Sequence, residues 1–63
     1  MATLDDAIVR FDQALAAQQN GEFTQAEALA TESLLLFQQL EGPDSPDLAN
    51  ILTTLAELQL TRG

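Results

Sequence analysis

Two prolines, a glycine and three small polar residues stand together at Gly42-Pro43-Asp44-Ser45-Pro46-Asp47. No helix interior or central strand accommodates such a run, because each proline lacks an N–H and fixes its own φ. The 63-residue chain is therefore cut at about two thirds of its length, and Asn20-Gly21 marks a second, weaker break. Between the breaks, apolar residues recur at spacings of three and four, the signature of helices with one buried side. The pattern predicts an all-α fold of three helices over about 4–19, 24–40 and 46–61. Their connections are so short that neighbours must run antiparallel.

Local signals support each element. Thr3 followed by Asp6 forms a capping box before the first helix. Leu4, Ile8, Phe11 and Leu15 then share one stripe, flanked by Ala7 and Ala14. Gly21 suits the left-handed position just past a helix end. Thr24 with Glu27 reads as a second capping box, with Phe23 as the hydrophobic staple before it. The second helix carries Ala26, Leu29, Ala30, Ser33, Leu34, Phe37 and Leu40 at helical spacing, and Leu35 and Leu36 widen its apolar side. That breadth marks the central helix, touched on two sides. Ser45 or Asp44 caps the third helix and Pro46 takes its first position, where a missing N–H is harmless. Leu48, Ile51, Leu52, Leu55, Ala56 and Leu58 form its apolar set.

A domain of this size buries only about 60% of its unfolded surface, so outside help is common: disulfides, a metal or association. The sequence has no Cys and no His, which removes disulfides, zinc sites and haem ligation. Association, with a partner or a second copy, is the remedy left. With ten Asp and Glu against Arg10 and Arg62, the net charge is −8. Two arginines cannot neutralise a phosphate backbone or an anionic membrane, so nucleic acid and membrane surfaces are not expected partners. A charged partner should be basic. No run approaches membrane-spanning length, and no signal-peptide pattern appears in the first residues, so a cytoplasmic location is expected.

Catalytic chemistry lacks its reagents. Without His, Cys, Lys or Tyr, only hydroxyls and carboxylates remain. The pairs Asp5/Asp6 and Asp44/Asp47 sit where helix N-termini favour negative charge, which explains them without a reaction. A calcium loop around Asp44 and Asp47 lacks the required later Glu. The three glycines are scattered singly and build no phosphate loop. No catalytic residue, cofactor or metal ligand is assigned, and an enzyme is not expected.

Laid on itself at an offset of 42, the chain pairs Asp5 with Asp47, Ala7 with Ala49, Ala14 with Ala56 and Gly21 with Gly63. The pattern Ala-x6-Ala-x6-Gly, continued by Gly21-Glu22-Phe23-Thr24-Gln25-Ala26, resembles the tetratricopeptide repeat. That repeat is ordinarily about 34 residues long. The offset of 42 resembles the longer repeats of kinesin light chains and bacterial scaffold proteins, covering about one and a half repeats. The resemblance implies structural roles for Ala7, Ala14, Gly21, Phe23, Ala26, Leu34, Ala49, Leu55, Ala56 and Gly63. It places helix packing on Arg10, Gln13, Ala14 and Ala17, whereas the stripe Ile8, Phe11, Leu15 is rotated away from them.

The resemblance also implies a non-enzymatic interaction module whose concave side holds a polypeptide. The facing positions are Ile8, Phe11, Leu15 and Gln18, then Asn50, Thr53, Glu57 and Leu60. Basic residues that would clamp a peptide carboxylate are missing there, so the expected occupant is a basic or amphipathic segment. The alternative is a self-associating or stacking unit, since repeat units do not bury both sides alone. Leu34-Leu35-Leu36-Phe37 is read either as a docking surface or as the middle of a helical sandwich, and Gln18-Gln19 and Gln38-Gln39 as solvated surface.

Overall fold

A computed structural model of the chain describes residues 3–62, the Arg62 side chain excepted, so Gly63 and its repeat role lie outside the described residues. Three helices follow in order: α1 over Leu4–Gln19, α2 over Phe23–Glu41 and α3 over Pro46–Arg62. The all-α expectation holds, and each boundary falls within one residue of the predicted one. α2 is central, with α1 and α3 each packed against it.

The capping box at Thr3 forms as expected. The Asp6 N–H donates to Thr3 Oγ1 at 3.3 Å, and the Thr3 N–H donates back to Asp6 Oδ2 at 2.9 Å. At the other end of α1, the Gly21 N–H donates to the Gln18 carbonyl at 3.1 Å and the Glu22 N–H to the Ala17 carbonyl at 2.9 Å. These two bonds are a Schellman closure, with Gly21 in the left-handed region at φ +81°. The closure completes the chain reversal within Asn20–Glu22, and α2 starts at once with Glu22 as its N-cap. Thr24 is consequently already inside the first turn, and the predicted Thr24–Glu27 capping box is not formed. Phe23 is likewise the first residue of α2 rather than a staple ahead of it, half-buried against Ala17, Ala26 and Leu58.

At the second junction Gly42, at φ +88°, ends α2 with its N–H on the Gln38 carbonyl. Ser45 then caps α3, accepting from the Asp47 N–H at 3.2 Å while donating to Glu41 Oε1 at 2.5 Å. A side-chain hydrogen bond to Glu41 that favours the protonated form, together with desolvation and Glu41's own charge, raises the Asp47 pKa above the ordinary value of 3.8. Two carboxylates therefore crowd one turn: one where the α3 N-terminus favours negative charge, the other where the α2 C-terminus opposes it.

Small residues set the packing. Ala7 and Ala14 of α1 and Ala26 and Ala30 of α2 are fully buried, with Ala17 and Ser33 beside them. Alanines at successive turns allow two helix axes to approach closely, so dispersion contacts are made along the whole length. This corrects the predicted α1 stripe: Leu4 and Ile8 are exposed, Phe11 and Leu15 are half-buried, and the flanking alanines occupy the core. Of the four packing positions implied by the repeat, Ala14 and Ala17 are buried while Arg10 and Gln13 face water. The polar side chains Arg10 and Gln13 stay hydrated, and the helix rolls to bury its alanines. In α2, Phe37 is buried and Leu34 and Leu36 half-buried, while Leu35 and Leu40 are exposed. In α3, Leu48, Ile51, Thr54 and Leu58 are buried. Leu52 and Ala56, predicted as core, are exposed. The buried hydroxyls within α2 and α3 are satisfied inside their own helices, Ser33 Oγ donating to the Ala30 carbonyl and Thr54 Oγ1 to the Asn50 carbonyl.

Two outcomes follow. Ala30→Leu inserts three carbons where no space exists and should lower stability by about 1–3 kcal/mol. For a domain this small, each kcal/mol lowers Tm by about 4–8 °C in thermal unfolding followed by circular dichroism. An unchanged Tm would disprove the close approach. Glu41→Gln should raise Tm at pH 7, since it removes a charge that repels Asp47 and opposes the α2 dipole. A raised folded-state pKa means the native state binds the proton more tightly, so the wild-type junction strengthens as pH falls through that pKa. The advantage of Glu41→Gln should accordingly shrink between pH 7 and the ordinary carboxylate range, which parallel melts across pH would show.

Candidate partner-binding surface

The eight predicted contact positions divide by helix. On α1, Ile8 is 44% exposed while Phe11, Leu15 and Gln18 are half-buried, so this quartet forms the shoulder between core and solvent. Phe11 packs against the cluster containing Ala7, Ala14, Ile51 and Phe37, which fixes its ring as the wall of the shoulder. Asp5 and Asp12, both exposed, rim it on the solvent side. An aliphatic side chain half out of water with carboxylates one turn away suits the stem and head of a lysine or arginine.

On α3, Asn50, Thr53, Glu57 and Leu60 are all exposed, and Leu60 is 82% accessible. Thr53 donates its hydroxyl to the Ala49 carbonyl at 2.9 Å, so its polar group is already satisfied. Glu57 is the one carboxylate of this quartet. The two quartets share no hydrogen bond or ion pair with each other among the described residues, so each helix contributes its own strip.

Two open clefts of about 360 Å³ each lie along the α1–α2 side, and none of the eight predicted positions lines either. One is bordered by Gln13, Ala16, Asn20, Gln25 and Leu29 among others. The second is bordered by Arg10, Glu32, Leu35, Leu36 and Gln39. Across it, Arg10 Nε lies 3.2 Å from Glu32 Oε2, with both side chains about half or more exposed. An ion pair so hydrated contributes roughly 0–1 kcal/mol and mainly orients the side chains. These residues were missed as a group because they come from two helices. The available signal was Leu35, the residue that made α2 too broadly apolar for one stripe.

Among the described residues, no set of three or more His, Cys, Asp or Glu side chains is placed to hold a metal ion. No described helix is long and apolar enough to cross a membrane. The repeat positions of the first half behave as a packing motif: Ala7, Ala14 and Ala26 are fully buried, Phe23 and Leu34 half-buried, and Gly21 turns the chain. In the second half Leu55 is half-buried while Ala49 and Ala56 are exposed.

Comparison with known proteins agrees with this arrangement. A family profile described as tetratricopeptide repeat matches residues 5–63. The longer, kinesin-light-chain-like repeat type is consistent with that match. No curated protein and no solved structure gave a match. Repeats of this kind mediate contacts between proteins and form a non-enzymatic family. With the helical hairpin, the alanine contact and the profile spanning nearly every residue, the chain belongs to the tetratricopeptide repeat family.

Proposed function

We propose that this chain is a small acidic scaffold or adaptor unit that holds a basic or amphipathic segment of another protein in the cytoplasm. The observation carrying the reading is the α1 shoulder, where Ile8 stands exposed beside half-buried Phe11 and Leu15 and is rimmed by Asp5 and Asp12. An amphipathic helix laid there would cover the apolar strip with one side and meet the carboxylates with its basic residues. Gln18, Asn50, Thr53, Glu57 and Leu60 extend the surface along α1 and across α3. The net charge of −8 would speed encounter with a cationic partner and discourage anionic ones.

The test is calorimetric titration of the full chain with a Lys- and Leu-containing amphipathic peptide, beside an acidic peptide of the same apolar pattern. Saturable binding of the basic peptide alone, weakening as salt is raised, is the expected result. Ile8→Ser should weaken it between about three- and tenfold, the loss of roughly 1 kcal/mol of apolar contact. Equal binding of both peptides, or an Ile8→Ser variant indistinguishable from the parent, would sink the proposal.

A further inference from the structure

The two α1–α2 clefts are built from the same ingredients, with one difference. Each is about 360 Å³, near the small end of the roughly 300–1,000 Å³ usual for ligand clefts, a size for one side chain rather than a helix. The cleft at Leu35 already contains a guanidinium. There Arg10 Nε meets Glu32 Oε2 at 3.2 Å, with Leu35, Leu36 and the Gln39 amide completing the lining. The cleft beside the Asn20–Glu22 turn repeats a carboxylate, amides and apolar groups, but has no cation. Among the described residues that line it, Glu22 is the one charged group, Gln13, Asn20 and Gln25 supply three amides, and Ala16 and Leu29 are apolar. No hydrogen bond or ion pair engages the side chains of those four polar residues among the described residues. Glu22 stands at the N-cap of α2, where a side-chain oxygen commonly accepts from its own helix. It makes no such bond, so its carboxylate is uncommitted.

We propose that the cleft beside the turn takes an arginine side chain of a partner polypeptide, its guanidinium on Glu22 and the amide oxygens and its stem against Ala16 and Leu29. Charge and shape select this occupant. One carboxylate without a cation calls for a single positive charge. Three amide oxygens beside it offer more acceptors than a compact ammonium engages together, whereas a guanidinium carries five donors in a flat fork. The methylene stem of arginine rests readily on apolar surface while its head stays polar. Free arginine is the poorer fit, because its own carboxylate would enter beside Glu22 on a chain of net charge −8. Within a polypeptide that charge is gone. The site is separate from the α1 shoulder, since none of the eight contact positions lines it, and it operates whether or not a helix occupies that shoulder.

The test is a titration of the nitrogen-labelled full chain, followed by two-dimensional NMR, with an end-blocked Gly- and Ser-rich peptide carrying one central arginine. The same peptide with lysine, or with citrulline as the uncharged isostere, serves for comparison, and none of the three has an apolar side chain for the shoulder. The arginine peptide should saturate with a Kd of about 1–10 mM, the range of a single anchored side chain. Its shifts should centre on Gln13, Ala16, Asn20 and Gln25, side-chain amides included. Lysine should bind at least about fivefold more weakly, and citrulline should not saturate. Glu22→Gln should weaken the arginine peptide at least about tenfold by removing charge-assisted bonds. Asp44→Asn, the same charge change at the other turn, should leave binding within about twofold, because salt screens distant charges. Ala16→Leu fills the cleft without altering charge and should abolish binding. Unchanged signals of buried Ala30 and Ile51 report that the variants keep the fold. Equal shifts with arginine and lysine, spread over carboxylates along the chain, would reduce the effect to net charge and overturn the proposal. Undiminished binding in Glu22→Gln or Ala16→Leu overturns it as well.

Discussion

The alanine contact between α1 and α2 governs the rest of this molecule. Because Ala7, Ala14, Ala26 and Ala30 have nothing beyond a methyl to offer, the two helices must come close before either buries anything. Close approach then brings Phe37, Leu34 and Leu29 within reach of α1, and the tight Asn20–Glu22 reversal becomes the one connection short enough to allow it. The bulkier α3 contact, through Ile51, Leu58 and Leu48, is laid on a platform this hairpin provides. Small residues here are the condition for packing and contribute little of its bulk.

One consequence is the distribution of apolar surface. A chain this short cannot enclose every large side chain, and rolling α1 to bury its alanines forces Leu4, Ile8 and Val9 outward. The exposed aliphatic groups are displaced by the geometry rather than scattered, and they gather on the α1 shoulder, along α2 at Leu35 and Leu40, and on the far side of α3. Binding surfaces in a repeat protein arise in this way as the complement of its packing rule.

The fold was largely legible in the sequence because its strongest signals are local. Prolines at 43 and 46, the glycines at 21 and 42, and the Thr3–Asp6 box act over a few residues and need no tertiary information. The rotation of α1 was not legible by hydrophobicity alone. Ile8, Phe11 and Leu15 outweigh Ala7, Ala14 and Ala17 in apolar area, yet the alanines win because the distance between helices decides what fits. The alanine spacing of the repeat carried the right answer, and only two of its four packing positions, Ala14 and Ala17, obeyed it. The start of α2 was misread for a related reason: Thr24–Glu27 is a sound cap in isolation, but the Schellman bonds from Gly21 and Glu22 had already closed the turn. The α1–α2 clefts draw their walls from both helices, as Arg10 and Glu32 do, beyond any reading of one helix at a time.

The hydroxyl groups hold a last implication. Thr31, Ser33, Thr53, Thr54 and Thr61 each donate to a carbonyl three or four residues earlier in their own helix. None of these hydroxyls reaches across to a neighbouring helix; the hydrated Arg10–Glu32 ion pair bridges α1 and α2 at the surface, and the buried seams rest mainly on shape and dispersion. Such seams resist separation, because pulling the helices apart exposes apolar surface. The turns, by contrast, are pinned by short directional contacts at Gly21, Glu22 and Ser45. The molecule is therefore held most firmly at its corners, where direction as well as distance is fixed, and along its sides mainly by close packing.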